Sequence, residues 1–123
     1  MATITGLRTS SLNSDGSAAI VTWAAVTNGS DGTFADLGDF ADKAVQVIGT
    51  LGVGGSISVQ GSNDGTNFVT LTKPGGTAAT FTALGVCAIV ENTRYIKPIV
   101  TAGDGTTSLT AILFARRATP LHQ

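Results

Sequence analysis

The chain has 123 residues, a formal net charge of −1 and only 12% charged residues, against about 25% in ordinary soluble domains. That length suits one domain with one core, and the charge balance leaves nothing with which to hold nucleic acid or an anionic membrane. Cys87 is the single cysteine, so no disulfide framework or thiolate metal cluster is expected. The one histidine, His122, sits in a polar tail, away from any triad or metal site.

Taken in chain order, Met1-Ala2-Thr3-Ile4-Thr5-Gly6 has neither the basic start nor the apolar stretch of a signal peptide. No apolar run approaches the roughly 20 residues of a spanning helix, so a soluble, cytosol-synthesised chain is expected. Residues 1–14 are polar and read as an N-terminal arm. Ile4, Leu7 and Leu12 are its apolar anchors apart from Met1, and Arg8 is its only charge. Such an arm gains affinity only by ordering on a partner, through strand addition to a sheet edge, and its deletion is expected to leave the body folded. The body is predicted over 15–117 and a polar tail over 118–123.

Sixteen glycines, abundant threonine and few strong helix formers predict strands. Eight are expected, over 18–26, 43–51, 56–61, 68–72, 77–82, 85–91, 94–101 and 108–116. Several alternate apolar with polar residues, as in Ile57 and Val59 against Ser56, Ser58 and Gln60. The stretch 34–44 is ambiguous. Leu37, Phe40, Ala41 and Ala44 fit one helical face, while Gly38 and the flanking turns argue against it. The fold class predicted is all-β: a single sandwich or jelly roll of about eight antiparallel strands.

Four Asp-Gly-Ser/Thr triplets, at Asp15, Asp31, Asp64 and Asp104, read as two-residue hairpin turns with both central residues at φ > 0. Each Asp lacks the alternating carboxylates of a calcium loop, so turn chemistry is the reading preferred. Of the eight carboxylates, these four belong to turns. Asp36, Asp39 and Asp42, at spacing three, form a solvated face or strand boundary rather than a catalytic pair. The glycine-rich 49–55 has no lysine and no following helix, so it is a hairpin connection and not a phosphate loop. No catalytic, cofactor or metal-binding residue is expected, and the chain reads as a non-enzyme. Cys87 and Trp23 read as core, as do most of the aromatics. Pro98 within a strand predicts an edge or a bulge. Arg116 and Arg117 close the last strand, where they either anchor an acidic partner surface or act as soluble edge residues.

Four segments carry a family resemblance: Asp39-Phe40-Ala41-Asp42-Lys43-Ala44-Val45-Gln46-Val47, Gly61-Ser62-Asn63-Asp64-Gly65-Thr66-Asn67-Phe68, Glu91-Asn92-Thr93-Arg94-Tyr95-Ile96-Lys97-Pro98, and Gly103-Asp104-Gly105-Thr106-Thr107-Ser108-Leu109-Thr110 before Arg116-Arg117. In this order they resemble small structural proteins of tailed phages, and among them the capsid decoration (cement) proteins. The resemblance implies a β-sandwich that binds the major capsid protein shell and sister subunits, as a trimer first or a dimer second, at the capsid surface of the virion. Ile4, Leu7, Arg8, Leu12, Arg116 and Arg117 are the interface candidates. The alternative is a tail, fibre or neck component acting as a receptor- or carbohydrate-binding module. That role would need a solvent-facing cluster of aromatic and amide or acidic residues.

Overall fold

In the computed structural model, residues 3–10, 18–37, 40–91 and 93–116 are described, residues 7–10 by their backbone alone. The alternation of the sequence becomes the inner and outer rows of two packed sheets. The second sheet runs β10 (Gly85–Ile89), β6 (Asp42–Thr50), β12 (Ser108–Arg116), β3 (Ala18–Thr27) and β2 (Leu7–Ser10), every neighbour antiparallel. Its central strand turns Leu109, Ala111, Leu113 and Ala115 inward, opposite Val45 and Val47 of β6 and Ala19 and Val21 of β3.

The first sheet runs β1 (Thr3–Ile4), β4 (Asp31–Gly32), β11 (Tyr95–Ala102), β7 (Ser56–Ser62) and β8 (Val69–Thr70). Here β5 (Ala35–Asp36) also pairs with β11, and β9 (Thr80–Phe81) with β7. Ile57, Val59, Ile96 and Val100 face inward and join Trp23, Leu37, Phe40, Leu71 and Phe81 in one core. Each fully buried side chain of this size contributes roughly 1.5–3 kcal/mol. The fold is therefore an all-β sandwich, as predicted, and the eight expected strands match β3 and β6 to β12.

A bulge accounts for the apolar spacing of β3. Leu109 pairs with Val26 and Ala111 with Trp23, so Ala24 and Ala25 together oppose Thr110. Ala25 takes φ 58°, and its amide donates to Thr110 Oγ1 at 3.3 Å. The extra residue lets Trp23 and Val26, three apart, both point into the core, which a regular strand with its period of two would forbid.

The N-terminal segment is where sequence and structure differ most. Residues 3–10, expected as an arm, form β1 and β2, one in each sheet. β1 lies parallel to β4, with Thr3 opposite Asp31 and Ile4 opposite Gly32. It is the one parallel pair among the described strands. The turn between β1 and β2 carries Gly6 over the Trp23 indole, where a side chain at Gly6 would come within 2.6 Å of Nε1. The segment is short of apolar residues because its glycine and backbone, rather than bulky side chains, close over the tryptophan.

One open reading is decided and two further expectations change. The described residues of 34–44 form no helix: β5 lies in the first sheet, β6 begins at Asp42 in the second, and between them Leu37 and Phe40 are buried, with Phe40 N–H donating to Leu37 O at 3.0 Å. Pro98 is on neither an edge nor the β11 bulge, which lies between Val100 and Ala102. It sits in an inner strand, but β5 pairs only as far as Ile96 and β4 starts at Ile99, so the missing N–H falls in the break between two partners. Cys87 is half-buried on an edge strand and packs against the core instead of lying within it. Burial raises its thiol pKa above the ordinary value.

Candidate functional site

The outer face of the first sheet carries the densest chemistry among the described residues. Cross-strand partners share a face, and the outward rows are Asp36–Tyr95–Ser62, Lys97–Gln60–Thr70 and Asp31–Ile99–Ser58. Two of the segments that carry the family resemblance meet here, the loop 62–68 and the strand start at Arg94.

Loop 62–68 is built on one carboxylate. Asp64 Oδ1 accepts from the Ser62 hydroxyl at 2.7 Å and from the amides of Thr66 and Asn67 at 2.8 Å each, while Oδ2 takes the Asn67 side-chain amide at 2.8 Å. The Ser62 hydroxyl and these amides hold Asp64 well below the usual carboxylate range. Gly65 adopts φ +77° beneath the Tyr95 ring, 3.4 Å from where its Cβ would stand. Only one of the two turn residues is left-handed, so this is an Asx-braced loop and not the hairpin turn expected. Asn63 Oδ1 accepts from the Arg94 amide at 3.1 Å and ties the loop to β11.

The loop ends at Phe68, which joins Phe34 and Tyr95 in an aromatic ledge. The Phe34 and Tyr95 rings meet T-shaped with centroids 4.9 Å apart, and Phe34 lies 5.8 Å from Phe68. Phe34 is 49% exposed. Lys97 Nζ sits 4.7 Å from the Phe68 centroid and the Arg94 guanidinium 5.0 Å from that of Tyr95. Both cations are paired: Arg94 with Asp36 through Nε–Oδ1 at 3.3 Å and Nη2–Oδ2 at 3.1 Å, and Lys97 with Asp31 at 2.9 Å. Asp31 also accepts from the Thr3 hydroxyl at 2.9 Å. Burial acts to raise the Asp31 pKa, but the Lys97 and Thr3 hydrogen bonds outweigh it and the net shift is downward. Beside Phe34 opens a cleft of about 200 Å³ lined by Gly6, Val21, Trp23, Thr33, Ala35 and Asp36.

The aromatics are thus not mostly internal. Trp23, Phe40 and Phe81 are buried, whereas Phe34, Phe68, Tyr95 and Phe114 reach the surface. A signal was present in the sequence: an aromatic follows Asp-Gly-Thr twice, directly at Phe34 and one residue later at Phe68. Asp31-Gly32 is itself no turn but the buried strand β4. Asp104 braces the β11–β12 loop. Its Oδ1 accepts from the Thr106 hydroxyl at 2.7 Å and the Thr106 amide at 2.9 Å, and its Oδ2 from the Val53 amide at 3.0 Å. The Asp15 triplet lies outside the described residues.

The opposite outer face, on the second sheet, carries one apolar row. It crosses four strands as Ala88, Ala44, Phe114 and Ile20, and the next row, Val86, Gln46, Ile112 and Thr22, is mixed, with Ile48 beyond it opposite Thr110. Val86 is 66%, Ile48 42% and Phe114 40% exposed. The Arg116–Asp42 pair, Nε to Oδ2 at 3.3 Å, borders a cleft of about 280 Å³ on this face. Lys43 beside it turns inward, is buried, and donates from Nζ to Phe40 O at 2.7 Å. Its burial lowers the amine pKa.

The expected interface residues do not form one patch. Ile4 is half-buried against the core in the first sheet, and Arg116 is exposed at the end of β12 in the second. Leu7 and Arg8 lie on the edge strand β2, opposite Thr22 and Val21. Leu12 and Arg117 lie outside the described residues. Among the described residues, no three His, Cys, Asp or Glu gather as metal ligands.

No protein-family model and no curated protein matches the chain. Among solved structures, the SPBc2 prophage-derived protein YomS aligns over 80% of this chain and 93% of its own length, with TM-score 0.61 and 12% identity. The chain has the fold of YomS. Weaker likenesses include a cupin 2 domain-containing protein from Halorhodospira halophila, with TM-score 0.46 and 12% identity over 89% of this chain and 62% of that one. Peruvianin-I, a cysteine peptidase from Thevetia peruviana latex, gives TM-score 0.45 and 14% identity over 87% and 55%.

Proposed function

We propose that this chain is a structural protein of a phage virion that decorates the capsid, binding the major capsid protein shell and sister subunits without catalysing a reaction. The observation that carries this reading is the apolar row Ala88–Ala44–Phe114–Ile20 across the outer face of the second sheet, with Val86 open in the row beside it. A sheet face of this kind contributes little to folding and costs solubility, and contiguous exposed apolar surface marks a place where protein packs on protein. Arg116, one of the expected interface residues, stands at its border with Asp42. The fold shared with the prophage-derived YomS agrees with a phage origin. Every described carboxylate is spent on an internal hydrogen bond or ion pair: Asp31, Asp36, Asp42, Asp64, Glu91 and Asp104. That supports a non-catalytic role.

Binding to the shell stabilises it by mass action, since the ligand favours the assembled state over the dissociated one. Co-sedimentation with assembled shells of the major capsid protein tests the reading. The chain should pellet with the shells, and the double variant Val86→Asp/Phe114→Asp should stay in the supernatant while melting within a few degrees of the unaltered chain. A chain that never pellets sinks the decoration role. A folded double variant that still decorates at full occupancy moves the contact to another face.

A further inference from the structure

We infer that the Phe34–Phe68–Tyr95 ledge, together with the Asp36–Arg94 pair and the cleft beside Phe34, is a binding site for a neutral carbohydrate. The ledge lies on the outer face of the first sheet and the apolar row on the outer face of the second, so the two point away from each other. The inference does not rest on attachment to a shell, and a particle-bound chain would carry the ledge outward.

Four observations point to this ligand. Phe34 is half exposed yet held in a fixed setting by its T-shaped contact with Tyr95 at 4.9 Å and by Phe68 at 5.8 Å. A pre-oriented, solvent-facing ring is what the C–H face of a pyranose packs against, because the ring presents a negative face to polarised C–H bonds. Next to it, the Asp36 carboxylate and Arg94 guanidinium lie side by side in a two-point pair, with side chains 50% and 57% exposed. An acceptor and a donor fixed at that spacing match two neighbouring hydroxyls of a sugar, each of which can both give and take a hydrogen bond.

The third observation is charge. Arg94 and Lys97 are each offset by an aspartate, Asp36 and Asp31, and Asp64 adds a further negative charge in the adjoining loop. Stacking platforms for single-stranded nucleic acid set their aromatics in a positively charged groove. This ledge has no surplus cation, so a phosphate polymer finds no counter-charge and a neutral polyol loses nothing. The last is size. A cleft of about 200 Å³ is on the scale of one sugar unit rather than of a protein loop. Rigidity adds to all four, since the Asp64 bonds and the positive φ of Gly65 fix the loop that delivers Phe68 and supports Tyr95.

Affinity electrophoresis of the full chain in native gels cast with dextran, mannan or soluble chitin oligosaccharides tests the inference. At least one of these should retard the chain. Phe34→Ala and Arg94→Ala should each weaken the retardation constant about tenfold or more with unchanged melting curves, and Val53→Ser, on a distant loop, should leave it unaltered. Retardation by none of the three, equal retardation of Phe34→Ala, or capture by a single-stranded oligonucleotide or a protein in place of the polysaccharides overturns it. Loss of polysaccharide binding with shell binding intact would show that the ledge and the apolar face act separately.

Discussion

At the scale of the residue, Trp23 sets the tightest constraints. Its ring is 2% exposed, and its indole N–H donates to Thr33 O at 2.7 Å. Gly32 lies flat against it, and a Cβ there would stand 2.7 Å from Nε1 and 2.8 Å from Pro98 Cδ. The backbone of Gly32 is that of a strand, so any penalty for a side chain is steric rather than conformational. Gly32→Ala should therefore cost about 1–3 kcal/mol through overpacking, read as a lower urea midpoint at constant slope. An unchanged midpoint would mean that the Trp23 ring can yield. The sequence read Asp31-Gly32 as a turn because Asp-Gly is a turn signal wherever it occurs. Only tertiary packing reveals that this glycine serves a neighbouring ring and that this aspartate serves Lys97.

At the scale of the element, two loops are braced by a carboxylate beside a positive-φ glycine, Asp64 with Gly65 and Asp104 with Gly103. Asp104 links two loops, since it takes both the Thr106 hydroxyl of its own loop and the Val53 amide of the β6–β7 connection. The Thr106 hydroxyl, then the Val53 and Thr106 amides, lower its pKa from 3.8 to about 2. Between those two values the unfolded chain binds the proton and the folded chain does not, so stability falls as the solution is acidified through this window. Asp64 and Glu91, also lowered by hydrogen bonds, act in the same direction. The urea midpoint should hold above pH 5 and drop towards pH 2, and Asp104→Asn should lower the plateau and flatten the drop. A midpoint insensitive to pH down to 2 would mean that these bonds contribute nothing to the folded state. The strands themselves were legible where buried apolar side chains recur at every second position, as in Leu109 to Ala115. They were illegible at β1, β2, β4 and β5, where two to four residues are too few to establish a period, and the expected 68–72 and 77–82 shorten to the two-residue β8 and β9.

At the scale of the whole molecule, residues 3–10 belong to both layers, and Gly6 closes over Trp23 between them. Removing residues 1–10 uncovers that ring, strips β3 of its outer partner and leaves Asp31 without its Thr3 hydrogen bond. The truncated chain should melt about 10 °C lower or more, or fail to fold cooperatively. Near-identical melting would restore the reading of the segment as a detachable arm. The aromatic ledge was hidden for a related reason. Phe34, Phe68 and Tyr95 are 34 and 27 residues apart in sequence, and only the pairing of β5 and β7 with β11 gathers them. Charge patterning could not reveal it, since each cation there is cancelled by a partner from a distant segment.

The order of strands in the second sheet also bears on how the chain is made. β12 lies between β6 and β3, yet it is the last of the three to leave the ribosome. Until residues 108–116 have emerged, β3 and β6 have no shared neighbour, and the inward rows of Val21, Trp23, Val45 and Val47 wait uncovered. Closing the sheet then joins segments nearly a hundred residues apart, such as Ala18 and Arg116, a long loop whose entropy is lost before its contacts form. Folding is thus deferred until β12 has emerged and is slow for a domain of this size. At high expression the nascent chains pass through an interval in which their half-built sheets can pair with one another, and slower synthesis or a lower temperature would raise the yield of soluble protein.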